Sequence, residues 1–284
     1  MILSTVLLFF MVDYSIIKKL KNNYRQGSKM QAKELRAKIA KGEFVKPTAG
    51  YCEGFVQANM FVIPKEHAKS FEEFAKQNSK AMPLLEVVKN GFHAKNLAEG
   101  ANLLNELPLY NIIENGKVTK QVQSIEEYYS KDLVFFLIGC SFTFETSLLK
   151  AGINLRHVEQ NVNVSMYSTN IKLNPVGIWR GDMVVSMRPI AKERVADACV
   201  VTSHYPNMHG TPIQVGYPEM IGIKDINKPE YGDPVEIKKD EIPLFWPCGV
   251  TPQNALLDVK LPFAITHAPG HMFVSDRKDE EFYV

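Results

Sequence analysis

The sequence predicts an α/β protein: an α/β sandwich domain interrupted by a smaller inserted α+β domain. Three observations predict it. The first is the stretch 132–152, DLVFFLIGCSFTFETSLLKAG. Leu133 to Ile138 is a continuous apolar run of the length expected for a strand buried on both faces. Gly139, Cys140 and Ser141 break the run. Phe144, Leu148 and Ala151 then share one helical face, and Gly152 stops the helix as a left-handed cap residue does. The second is a repeat of this arrangement near the C-terminus. Ile242 to Trp246 reads as a strand and Pro247-Cys248-Gly249-Val250 as a turn. Thr251 suits a helix cap and Pro252 a first helical position before Gln253–Leu257. The third is a change of texture between them, where short β-like runs alternate with turn residues. The expected organisation is a discontinuous α/β domain, 30–152 and 236–284, with 153–235 inserted. In one sheet, the turns at Cys140 and Cys248 would face the same crevice, and strand–turn–helix geometry there presents backbone N–H groups to an anion.

Length and composition narrow the class. The chain has 284 residues, 45% hydrophobic and 23% charged, with a net charge of +2. These values suit a globular protein and give no electrostatic footprint for nucleic acid. The four cysteines, Cys52, Cys140, Cys199 and Cys248, form no CxxC pair, which argues against a zinc ribbon or a disulfide framework and for reduced thiols in the cytoplasm. Met1–Val12 is strongly apolar but short of the roughly 20 residues of a spanning helix. The lysines at 18, 19 and 21 follow the apolar run, the reverse of a secretory signal. Residues 1–29 are expected to be an N-terminal extension ahead of Met30. A weak membrane-associating segment is the alternative, and no stable membrane insertion is expected.

The elements follow in order. Gln31–Lys41 is an amphipathic helix with Leu35 and Ile39 inward, ending at Gly42. Gly54–Ile63 is an apolar run containing two amides, Gln57 and Asn59, which are read as satisfied core groups rather than substrate contacts. Ser70 with Glu73 makes a capping box for a helix through Asn78. Pro83–Gly91 is a connector with a strand, and His93–Asn105 is loop. Leu107–Ile113 followed by Glu114-Asn115-Gly116-Lys117 is a hairpin, because Asn-Gly favours the primed turn. Ser124 with Glu127 caps a helix leading to Leu133. In the insert, Asn163–Met166, Met183–Met187, Cys199–Ser203 and Ile221–Ile223 read as strands and Ala191–Ala198 as a helix. Pro229–Pro234 is a turn-rich linker.

Several groups suit chemistry. Cys140-Ser141 and Cys248-Gly249 precede helices, whose N-termini lower a thiol's pKa and attract carboxylates. The run Arg156-His157-Val158-Glu159-Gln160-Asn161 joins a carboxylate-binding guanidinium to a proton-passing His–Glu neighbourhood. Tyr167-Ser168-Thr169-Asn170 suits the orientation of a small polar ligand. Arg188, ending an apolar strand, must meet either an internal acid or a ligand. His204, His209, His267 and His271 lie in SHYPNMHG and THAPGH. The i, i+4 pair at 267 and 271 would suit a metal on a helix, but Pro269 and Gly270 argue against helix there. No metal and no other cofactor is expected.

Taken together, PTAGYCEGFVQAN (Pro47–Asn59), GCSFTFE (Gly139–Glu145), RHVEQNVNVSMYSTN (Arg156–Asn170), VVSMRP (Val184–Pro189), HGTPIQVG (His209–Gly216), FWPCGVTPQ and ITHAPGHM resemble the D-glutamate cyclase family, whose bacterial members carry the label hydro-lyase. The resemblance runs from about Met30 to Asp276. It implies the same two-part fold and a lyase that removes water, with cyclisation of D-glutamate to 5-oxo-D-proline as the defined activity. The sequence departs from the pattern where it has Ser168 for arginine, Gln214 for histidine and Tyr217 for aspartate. On this reading Arg156 and Arg188 hold carboxylates, the turns at Cys140 and Cys248 donate backbone N–H groups, and His209, His267 or Glu159 moves the proton. Ser141, Tyr167 and Asn170 complete the substrate contacts. Two other readings compete: a metal-assisted dehydratase of a small hydroxy acid, and a non-catalytic binding protein for small carboxylates or amino acids. In each the partner is a small molecule, and a homo-oligomer is compatible with all three.

Overall fold

The computed structural model describes Gly27 and residues 29–284. The apolar segment Met1–Val12, and with it nearly all of the expected extension, lies outside the described residues. Helix α1 (Ala32–Ala40) buries Leu35 and Ile39 against Val274, as the amphipathic spacing requires. The long strand β1 (Phe55–Pro64) is buried along almost its whole length. It runs directly into α2 (Lys65–Gln77). That helix starts five residues ahead of the expected capping box. Ser70 lies inside it, where its hydroxyl donates to the His67 carbonyl and accepts the Trp179 indole N–H at 3.0 Å.

Strands β2 (Leu84–Val88), β3 (Tyr110–Glu114), β4 (Lys117–Val122) and β5 (Leu133–Gly139) follow. Asn115 and Gly116 both have positive φ, 51° and 76°, so β3 and β4 close through the expected primed turn. The helix expected after Ser124 is only a single 3-10 turn, Glu126–Tyr128, with Ile125 at its N-cap; the Ser124 hydroxyl accepts the Glu126 N–H at 3.3 Å without forming the expected capping box. The large sheet has the order β2-β5-β1-β10-β3-β4, with β10 (Ala264–His267) and β11 (Phe273–Lys278) both against β1. In β5, Phe135 and Leu137 enter one core, and Val134, Phe136 and Ile138 enter the other, with Phe71 and Phe74 of α2. Burial on both faces is why this run lacks polar alternation.

After β5 comes a 3-10 turn, Ser141–Phe144, then α3 (Glu145–Lys150). Gly152 at φ 76° ends it. The second sheet has the order β6-β7-β9-β8: β6 (Met166–Lys172), β7 (Asp182–Ala191), β9 (Glu241–Pro247) and β8 (Gln214–Val215). All strand pairings in both sheets are antiparallel among the described residues. The helix expected at Ala191–Ala198 and the strand expected at Cys199–Ser203 are one helix, α5 (Val195–Ser203). The adjacent β-branched Val200 and Val201 give its second half a strand-like composition; Ala198 and Thr202, one turn apart, are the pair it buries. Ile221–Ile223 is no strand but the end of a 3-10 turn. Helix α4 (Arg156–Gln160) precedes β6, and α6 (Thr251–Val259) follows β9.

The two cysteine turns are therefore not in one sheet. Cys140 ends a strand of the large sheet and Cys248 a strand of the small one. They nevertheless meet, in a common cluster with Phe142, Val164, Met166, Val250 and Met272.

Candidate functional site

The candidate site is the seam between the sheets where β5 and β9 end. Asn59 of β1 joins it from beneath. Its Nδ2 donates to the Gly139 carbonyl at 2.7 Å. A Cβ on Gly249 would lie 1.9 Å from that same Nδ2, so only glycine lets the turn after Cys248 rest on the amide. Gly139 is likewise pressed against the Asn207 carbonyl, 2.2 Å from where a Cβ would stand. Among the described residues, the backbone N–H groups of Ser141 and Gly249 donate to no protein group. They are the residues immediately after Cys140 and Cys248. Thr251 is not the helix cap; its hydroxyl donates to the Cys248 carbonyl at 2.6 Å and pins the turn.

Behind Ser141 lies a buried polar network. Arg188 is fully buried and donates to Glu145 from Nε at 2.9 Å and from Nη2 at 2.5 Å. The same guanidinium donates to Ser186 Oγ at 3.1 Å and to Ser141 Oγ at 3.0 Å. It also stacks beside Phe144 and Trp246. His157 Nε2 is 3.1 Å from Glu145 Oε1. Burial pushes the Glu145 carboxyl up, but His157 and Arg188 outweigh it and hold it below the usual carboxylate range. Of the two partners open to Arg188, the structure contains the internal acid. Glu145 and His157 stood inside the Gly139–Glu145 and Arg156–Asn161 runs, but spacing alone could not pair residues 12 apart.

Other candidates fall elsewhere. Arg156 pairs with Glu241, and with Glu159 at 2.6 Å, on the surface of α4. Neither that guanidinium nor the exposed Glu159 reaches the seam. Tyr167 faces the opposite side of β6 from Met166, where its hydroxyl donates to the Ile226 carbonyl at 2.6 Å. Asn170 is exposed beside Gly222. Ser168 bonds Asn254 of α6 at 3.3 Å, and Tyr217 is exposed. Gln57 is satisfied by Thr48 and Tyr51, as a core amide.

Burial also reverses the expected thiol chemistry. It pushes the Cys140 thiol far up and the Cys248 thiol up to about 11. The short helical turn after Cys140 offers one weak N–H···S contact, from Phe142 at 3.4 Å, which is too little against desolvation.

Two histidines flank the seam. His267 ends β10, with Nδ1 3.2 Å from the Met60 carbonyl and 3.3 Å from the Met60 N–H, and its own carbonyl bonded by Gln253 of α6. His209 has Nδ1 3.0 Å from the Lys80 carbonyl. In both, Nε2 is buried without a protein partner. Burial lowers each to about 4, so each is neutral near pH 7. No group of three or more His, Cys, Asp and Glu side chains able to hold a metal occurs among the described residues. Nor is any helix there long and apolar enough to cross a membrane.

Comparison with known proteins gives a consistent result. The family model described as D-glutamate cyclase matches residues 134–276. A protein named "Putative hydro-lyase" from Clostridium beijerinckii is 47% identical over 89% of this chain and 97% of its own. Proteins of the same name from Rhizobium rhizogenes and Pseudomonas syringae are 49% and 46% identical, over 89% and 92% of this chain and 94% and 100% of theirs. The segments Gly139–Glu145, Val184–Pro189 and Phe245–Gln253, distant in sequence, build one seam here. The chain belongs to the D-glutamate cyclase family.

Proposed function

We propose that this protein is a hydro-lyase acting on a small amino acid or carboxylate, and that its reaction is dehydrative cyclisation of D-glutamate to 5-oxo-D-proline at the seam between Cys140 and Cys248. The observation that carries the reading is the meeting of the Cys140 and Cys248 turns from two sheets, each followed by a backbone N–H, of Ser141 and Gly249, that donates to no protein group. Family membership and the relatives' names support the class of reaction.

In the reaction the substrate nitrogen bonds to the side-chain carboxyl carbon and a carbon–oxygen bond breaks. Two protons leave the ammonium and both end on the departing oxygen, which leaves as water. The difficult features are a poor electrophile and a tetrahedral oxyanion. Backbone N–H donors in a buried seam answer the second, because they need no reorganisation as charge develops. Arg188 does not hold a substrate carboxylate in this scheme, since Glu145 occupies its fork. It is a positioning residue that orients the Ser141 hydroxyl. The thiols of Cys140 and Cys248 act through the shape of their turns, not as nucleophiles.

Proton transfer is assigned to His267. Glu159 lies away from the seam, and His209 opens onto a separate groove. His267 is neutral; in the tautomer whose Nδ1 donates to the Met60 carbonyl its Nε2 accepts a proton, and a bound dicarboxylate would raise its pKa from about 4 toward the working range. The test is His267→Gln. Loss of at least about 100-fold in kcat with D-glutamate, with the fold retained by circular dichroism, supports the assignment. An unchanged kcat removes His267 from the mechanism.

A further inference from the structure

On the other side of the β5 end lies a groove that the proposed reaction does not use. Its volume is about 590 Å³, within the size range of small-ligand sites. Lys76, Ser79, Lys80, Ser203, Asn207, His209 and Thr211 supply its polar lining, and no carboxylate lines it. Lys76 is partly neutralised by Glu72 at 3.0 Å. Lys80 is not: its Nζ donates to Thr211 Oγ1 at 3.0 Å, and burial alone perturbs it, downward. Pro83 and Leu84 add apolar surface.

His209 marks the inner wall. It is fully buried, and it is held at φ 76°, a left-handed backbone that a non-glycine residue adopts at a cost. Its Nδ1 is 3.0 Å from the Lys80 carbonyl, and the Gly139 carbonyl also faces the ring, so backbone oxygens from two segments fix the imidazole in the wall. A positive groove with hydroxyl donors, an apolar side and no acid selects an anion carrying a short apolar stem.

We infer that the groove between α2 and the Pro206–Thr211 loop is a second binding site, for a small organic oxyanion held by Lys80 and Thr211. It is separate from the seam, because Gly139 and the Asn207 carbonyl close the path between them.

Isothermal titration of the full chain with butyrate, n-butyl phosphate and inorganic phosphate tests this. The expected result is saturable 1:1 binding of at least one butyl-bearing anion, stronger than that of inorganic phosphate. The better of butyrate and n-butyl phosphate identifies the headgroup. Lys80→Met should weaken binding at least tenfold, while Lys239→Met, a surface lysine outside the groove, leaves it unchanged. Absence of saturable binding, equal affinity in Lys80→Met, or equal loss in Lys239→Met overturns the inference.

Discussion

Removing the Arg188 side chain would strand Glu145, a buried carboxylate whose other close partner is the His157 imidazole. Breaking a buried ion pair by deleting one partner costs about 3–5 kcal/mol. Arg188→Ala should therefore lower unfolding stability by about that amount in urea denaturation, and Glu145→Gln in the same background should recover part of it. A loss within about 0.5 kcal/mol would mean that the network is not holding the seam. The two buried histidines make a second prediction. Each has a folded pKa of about 4, below its ordinary value near 6.5. The unfolded chain thus binds more protons between those values, so stability is intact above pH 6.5 and falls as pH drops toward 4. Between pH 7 and pH 5 the loss is about 2 kcal/mol for each histidine. His209→Gln or His267→Gln should flatten the pH dependence of denaturation by about that amount. An unchanged slope would place the ring in water.

At the scale of elements, the strand–turn–helix units were legible because β5 is buried on both faces, which leaves an uninterrupted apolar run, and because Gly152 takes the left-handed conformation its position requires. The Asn115-Gly116 hairpin was legible for the same local reason. Of helix α5 only the first half was, since Val200 and Val201 favour a strand by propensity while tertiary packing continues the helix through Ser203. Pairings were harder still: Glu145 meets Arg188 across 43 residues, which no periodicity encodes. The same limit hid the partners of Arg156. The turn after Cys248 gives the element-scale prediction. Gly249→Ala puts a methyl into the Asn59 amide, which is itself tied to the Gly139 carbonyl. Overpacking of this kind costs about 1–3 kcal/mol. Melting should shift down accordingly, and turnover should fall more than stability does, because both cysteine turns move relative to each other. Wild-type melting and turnover would show that the contact is slack.

For the whole molecule, the two-part organisation expected from texture is best restated through the sheets. β9 pairs with β7 along seven residues, from Val185↔Pro247 to Ala191↔Glu241, so the strand carrying Cys248 hydrogen-bonds within the small sheet. We propose that the boundary of the insert falls after Pro247, which makes the seam an interface between two units rather than a crevice within one. Such an interface explains how segments distant in the chain, Gly139–Glu145, Val184–Pro189 and Phe245–Gln253, reach one buried place. The most direct test of the central claim is proton NMR of D-glutamate and of L-glutamate, each incubated with the purified full chain. The D-enantiomer alone should give a 5-oxoproline spectrum, and Gly249→Ala should abolish it. Unchanged D-glutamate after prolonged incubation with folded protein, or equal conversion of both enantiomers, would contradict it.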